Sequence, residues 1–418
     1  MLLASIIILL IVLIMLRVPV SFVIFATGIL GLLAMGGLDL VLPVMETAPA
    51  TAVRKTSLTA IPLFMLMAQF MLMSGLLDSL FDAARGLVGR MPGGTGIASI
   101  GAGTAFAAVS GSSTAAAATL AQTSTTRMLR EGYRPDVASG LVASVGTLAA
   151  MIPPSIILVF YAITAEASVG DVLIACAMAL TMYLGMMRNR DSIPMGTRSS
   201  MKDKLKYLGQ ASPLLIVFLA VVGSIFLGVA TPTEAAALGA FAALFLVVVR
   251  GRFTMLGMGR CLVETVKSTA MILAIIMSAH VLGHFLTETR AAPRLVTAIE
   301  NSALPVLVIM ALIAVFYVVL GFFMDQIAII ALTVPIVLPV VVGLGYDPVW
   351  FGIFMVLLAE VGMVTPPMGI NVFVVSKSAN MAPMTVFKGA FPYVVAMLGM
   401  AAIFLLWPDL VMWVPNLM

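Results

Sequence analysis

Asp325 stands out chemically, an acid set inside the apolar run GFFMDQIAIIALTVPIVLPV. A carboxylate at membrane depth costs roughly 2.5 to 3.5 kcal/mol on insertion scales, so it normally faces a cation, a partner group or water. No Lys or Arg lies within thirty residues on either side, which makes a bound Na⁺ or H⁺ a natural counter-charge. Capping a helix start is the compatible structural role. The cluster Ser110, Gly111, Ser112 and Ser113 offers hydroxyls and freed carbonyls, the hard oxygen ligands that Na⁺ prefers. A helix start at the same place would suit an anion, and serines in a small-residue helix also back-bond to their own carbonyls. Two Pro-Pro pairs supply the third signal, in VGTLAAMIPPSIILVF (145–160) and VGMVTPPMGINVFVV (361–375). Each pair removes two N–H donors and clashes with the preceding turn, freeing carbonyls near Gly146 to Met151 and Gly362 to Val364. Ser155, Thr365 and Asn371 add side-chain oxygens or amides beside them.

These residues must be positioned by membrane-spanning elements. The chain has 418 residues, 62% hydrophobic and 10% charged, where a soluble domain carries about 25% charged residues. Many stretches reach the ~20 apolar residues needed to cross ~30 Å of hydrocarbon. A formal charge of +4 sits in loops between apolar runs, where it reports orientation and points to no nucleic acid. Residues 2–16 lack the basic flank and cleavage site of a secretory signal and read as the first span. Cys176 and Cys261 lie in separate apolar segments without paired spacing, so neither a disulfide nor a thiolate metal site is indicated.

The sequence matches itself at an offset of 213 residues, pairing Pro19 with Pro232, Pro92 with Pro305, Pro135 with Pro348, and Pro153–Pro154 with Pro366–Pro367. Gly132 and Tyr133 likewise fall on Gly345 and Tyr346. Each half reads as five crossings plus one re-entrant helical hairpin. In the first half the crossings are 2–16, 18–36, 60–77, a broken span at 137–165 and 171–187, with the hairpin at 93–128. Its arms, about 95–109 and 114–127, are too short to cross. The second hairpin falls at 305–343. An odd number of crossings makes the second half start on the opposite face, which predicts inverted repeats. Placing the loop Arg188 to Lys206 in the cytoplasm leaves only Arg54, Lys55, Arg290 and Arg294 of the 22 basic residues outside. Both termini are then periplasmic. The expected division is repeat 1 over 1–187, a cytoplasmic linker over 188–210, and repeat 2 over 211–418. Within these, 2–36 and 211–250 are scaffold, 38–57 is an interfacial arm, and 60–187 and 268–418 are transport parts.

Non-helical backbone at membrane depth is tolerated only where it is buried or lines a cavity. The tips and Pro-Pro breaks therefore mark the site. Between Gly93 and Thr126, 28 of 34 residues are Gly, Ala, Ser or Thr, a composition that lets helices approach and slide. The 32 methionines suit adaptable packing. His280, His284 and Glu288 share a helical face at metal-ligand spacing, but lack the HExxH pattern of zinc peptidases. Glu234, in GVATPTEAAALGAF, reads as part of a helix cap with Thr231 or Thr233. No GxxxxGK[ST] run is present, so ATP is not the direct energy source.

Together, GVATPTEAAALGA, SGSSTA, GYRPDVASGLVASVGTLAAMIPPS, GFFMDQIAIIALTVPIVLPV and GMVTPPMGINVFV resemble the large membrane subunit of tripartite ATP-independent periplasmic (TRAP) transporters. The resemblance implies an elevator-type transport domain, Na⁺ coupling, a small four-helix membrane subunit, and a periplasmic binding protein that delivers an organic acid. It places the protein in the bacterial inner membrane and implies no enzyme and no organic cofactor. Carried over by motif position, the ion sites fall on Ser110, Ser112, Ser155 and Asp325, with Gly111, Ser113, Gly146, Gly362 and Thr365 around them. The substrate site takes Ser113, Thr147, Pro153, Pro154, Pro366, Pro367 and Asn371. Two rivals stand beside this reading. One is a stand-alone Na⁺/divalent-anion symporter; the other is an intramembrane metalloenzyme using the two histidines and Glu288.

Overall fold

Hydrophobic runs punctuated by Pro and Gly fold here into helices, and every regular element among the described residues of the computed structural model is helical. The described residues are 2–16, 18–54, 56–76, 80, 83–84, 86, 94–151, 155–165, 201–301 and 304–412. The expected crossing at 171–187, most of the linker at 188–210, and Pro153 and Pro154 lie outside them.

The first part of the chain forms α1 (Leu2–Met15), α2 (Val20–Gly36), α3 (Leu38–Arg54), α4 (Ala60–Met73), α5 (Gly94–Ser110) and α6 (Ser113–Leu120). A π-helical turn, Ala121–Thr125, leads into α7 (Thr126–Arg130), followed by α8 (Pro135–Thr147) and α9 (Ile156–Ala165). The second part forms α10 (Met201–Phe226), α11 (Pro232–Val249), α12 (Met255–Glu288), α13 (Ala291–Glu300), α14 (Val306–Phe323) and α15 (Gln326–Gly343). It ends with α16 (Pro348–Met363), α17 (Ile370–Ala379), α18 (Pro383–Leu406) and α19 (Asp409–Met412).

The boundaries follow local chemistry. Pro135, Pro232, Pro348 and Pro383 open their helices at the first turn, where the missing N–H has no partner to lose. Thr231 and Glu234 form the expected capping box on α11. Gly132 and Gly345 close the second hairpin arms with φ of 87° and 90°, a left-handed conformation that glycine adopts without steric cost. The following amides of Tyr133 and Tyr346 return to Met128 O and Val341 O, closing the helix end.

The segment expected at the interface is helical from Leu38 to Arg54 despite Pro43 and Pro49. Helix α12 runs unbroken from Met255 to Glu288, straight through residue 268, where the sequence suggested that a transport part begins. By length and composition α14 and α15 also qualify as crossings, so the second hairpin is not marked as re-entrant by short arms.

The packing is reciprocal. Helix α2 lies against α12 and α4 lies against α11; α9 lies against α15 and α17 lies against α6. At the 213-residue offset each pair is the counterpart of the other. The two helices that precede the Pro-Pro breaks are buried all round, from Ala138 to Thr147 in α8 and from Trp350 to Met363 in α16. They form the centre, as helices apolar on every side must. Close backbone crossings hold them: a Cβ on Gly140 would sit 2.0 Å from Gly389 C, joining α8 to α18, and one on Gly321 would sit 2.4 Å from Ala359 O, joining α14 to α16. Large apolar side chains of α11 and α12, among them Leu238, Phe241 and Val266, are exposed, as lipid-facing surfaces are.

Candidate functional site

The two hairpin tips and the two broken spans meet at one place. The first tip is a turn at Gly111 and Ser112 between α5 and α6. Gly111 has φ of 55°, and a Cβ there would lie 3.0 Å from Ile156 Cγ1, so the turn requires glycine on both counts. Ser112 caps α6, its Oγ accepting from the Ala115 amide at 3.4 Å. The second tip is Met324–Asp325, and Asp325 caps α15 by accepting from the Ala328 amide at 3.1 Å. The N-cap role foreseen for Asp325 is thus the observed one, and its carboxylate still borders a cavity. Ser110 ends α5; its side chain is outside the described set.

Behind the tips lies a buried hydrogen-bonded chain. Asn371 Nδ2 donates to Ser113 Oγ at 2.9 Å, and Ser113 Oγ donates to Glu360 Oε2 at 2.9 Å. Gln326 Nε2 donates to the other oxygen, Glu360 Oε1. Ser113 Oγ is also 3.2 Å from Gly146 O, but a hydroxyl has one proton and the carboxylate is the closer and stronger acceptor. Glu360, Ser113, Gln326 and Asn371 are all buried. Among the described residues Asn371 Oδ1 has no hydrogen-bond partner, so an oxygen acceptor remains beside Ser113, which also approaches the Gly146 carbonyl. This all-oxygen set fits a hard cation.

The remaining expected residues divide. Ser155 follows the first break, donating to Ala150 O at 2.7 Å and accepting from the Leu158 amide at 3.2 Å. Thr365 donates to Val361 O and keeps its lone pairs. Pro366 and Pro367 are exposed beside it. Gly362 packs against α14, where a Cβ would lie 2.4 Å from Val318 O, so close helix contact accounts for that glycine. Thr147 donates to Ser144 O and faces Met397 Sδ on α18, away from the cavity. Glu360 was missed by sequence reasoning, although the argument applied to Asp325, an acid in an apolar run, applies to it unchanged.

In front of the tips is a cavity of about 240 Å³, bounded by Ser112, Thr114, Asp325 and Gln326 on one side and by Gln69 of α4 and Glu264 and Ser268 of α12 on the other. Among the described residues its lining contains two acids and no Lys, Arg or His. Glu264 is paired with Lys267 at 3.2 Å. A second cavity of about 450 Å³ runs between α12, α13, α9 and α15 and includes His280 and His284. Among the described residues no three His, Cys, Asp or Glu side chains come together to hold a metal, so the HxxxHxxxE run does not assemble a ligand triad.

This arrangement can be compared with known proteins. The family model described as "Tripartite ATP-independent periplasmic transporter, DctM component" matches residues 7–410. The chain belongs to that family. DctM components are transporter permeases and not enzymes, and the chain is accordingly a multi-pass protein of the inner membrane. It is 32% identical to the C4-dicarboxylate TRAP transporter large permease protein DctM of Pseudomonas aeruginosa, over 86% of each chain. It is 31% identical to the sialic acid TRAP transporter large permease protein SiaM of Vibrio cholerae, again over 86% of each. Among solved structures, the Alcanivorax borkumensis YdaH transporter superposes with a TM-score of 0.67, covering 95% of this chain and 98% of that one at 14% identity. The DctM-family helical architecture is therefore shared with YdaH at the level of fold.

Proposed function

We infer that this permease imports a small organic acid together with Na⁺, receives the acid from a periplasmic binding protein, and works beside a small four-helix membrane subunit. The observation that carries this reading is the polar cavity at the hairpin tips, in which the Asp325 carboxylate has no lining basic residue beside it among the described residues. With Glu264 held by Lys267, an anionic substrate entering this site meets Asp325 without a lining basic side chain beside it among the described residues, and a co-bound cation would offset that charge. Cation and anion then favour each other's binding, which is coupling in thermodynamic terms. The helix starts at Ser113 and Gln326 direct free N–H groups toward the same cavity and suit a carboxylate. The acids named for the DctM and SiaM relatives support an organic acid as the substrate class.

Each Na⁺ moving inward down ~100 mV contributes about 2.3 kcal/mol, so net charge uptake supplies the accumulation. The tips and broken spans move as one body against α2, α4, α11 and α12, the elevator arrangement; α4, expected in a transport part, is placed with the scaffold here because it packs against α11. The reciprocal packing supports two inverted halves around an in-plane axis. The test is uptake of labelled organic acids into proteoliposomes containing both membrane subunits and the binding protein. Accumulation requires an inward Na⁺ gradient; accumulation that is equal with Na⁺ replaced by choline would reject coupling.

A further inference from the structure

The buried chain behind the tips contains a relation that the cavity alone does not. Ser113 is the first residue of α6 and Gln326 the first residue of α15, and they are counterparts at the 213-residue offset. Residues related in this way converge on one point only if that point lies near the axis relating the two halves. The point is the Glu360 carboxylate, which accepts from Ser113 Oγ on one oxygen and from Gln326 Nε2 on the other. One side chain near an axis cannot be duplicated by symmetry. The residue at the matching position of the first half is Thr147, whose hydroxyl turns back to Ser144 O.

We propose that Glu360 is a positioning residue that sets the two hairpin tips against each other, so that the binding arrangement at either tip forms only while the other is in place. What the tips bind rests on the transport reading above; the mechanical link between them does not. Among the described residues Ser113 and Gln326 are not hydrogen-bonded to each other, and the Glu360 carboxylate is the hydrogen-bonded link between them. Glu360 is fully buried, so water cannot replace a lost donor, and losing either one leaves an unsatisfied acceptor. Through Ser113 the same chain fixes Asn371, which brings the second broken span into register with the first tip.

The test is a mutant cycle read at the tip itself. In the full-length protein with Cys176→Ser and Cys261→Ser, a single Thr114→Cys at the cavity edge is modified by a small thiol reagent in nanodiscs. Gln326→Ala, on the opposite hairpin, is expected to speed modification about tenfold. Glu360→Ala does the same, and the double variant is no faster than either single, because both remove one link. Glu360→Gln, whose amide can accept from Ser113 and donate to a turned-over Gln326 amide, stays within about threefold of the starting rate. The proposal is overturned if Glu360→Ala leaves the rate unchanged, if the two effects multiply, or if Glu360→Gln reacts as fast as Glu360→Ala. Should Glu360→Ala not fold, Glu360→Asp, one methylene shorter, takes its place in the cycle with the same outcomes. A chain that moves no organic acid, yet shows this cycle, would refute the transport reading and leave the link between the tips standing.

Discussion

Asp325 and Glu360 have different surroundings, and the difference predicts different phenotypes. Asp325 caps α15 and borders the cavity; Asn is an equally good N-cap but carries no charge. Asp325→Asn is therefore expected to lower the unfolding free energy by less than about 0.5 kcal/mol while raising the Na⁺ concentration for half-maximal uptake at least tenfold. A Na⁺ titration of uptake beside a thermal melt checks both. Ser113→Ala removes the hydroxyl donor to Glu360 Oε2 and the acceptor for Asn371 Nδ2, and should cost about 1 to 3 kcal/mol of stability, read as a lower melting midpoint. Asp325 was legible because an acid in an apolar run is conspicuous. Glu360, also an acid in an apolar run and shortly before the Pro366–Pro367 break, is equally conspicuous. Its partners could not be read at all, since Ser113 and Glu360 are 247 positions apart.

At the scale of elements, the hairpins and breaks were legible because Pro and Gly act locally. Tips at Gly111–Ser112 and Met324–Asp325 fall where small residues or an acid interrupt apolar runs. Helix α3 was less legible, because propensity counts Pro43 and Pro49 against it while the chain carries both inside one helix. Crossings between helices were not legible, since a glycine's neighbour is chosen by tertiary structure. Gly140→Val tests one of them: its Cβ would overlap the backbone of α18 at Gly389, and overpacking of this kind costs at least about 1 to 3 kcal/mol. Folded yield by size-exclusion chromatography is expected to collapse, whereas Gly209→Ala, with open space around it, should leave the yield unchanged.

At the scale of the molecule, the 213-residue offset predicts two copies, and the packing of α2 with α12 and of α4 with α11, counterparts at that offset, is what two such copies would give. The cavity between the tips and α4 and α12 is where an elevator would slide. Joining Gln69→Cys to Thr114→Cys across it with a bifunctional thiol reagent should stop uptake, while reduction of a cleavable linker restores it; undiminished uptake in the cross-linked protein would exclude relative movement there. The central claim, that an acid-lined cavity needs a cation to admit an anion, is tested most directly by substrate binding to the purified permease at varied Na⁺. Affinity for the transported acid should rise with Na⁺ and this rise should vanish in Asp325→Asn; affinity independent of Na⁺ in the unaltered protein would contradict the account.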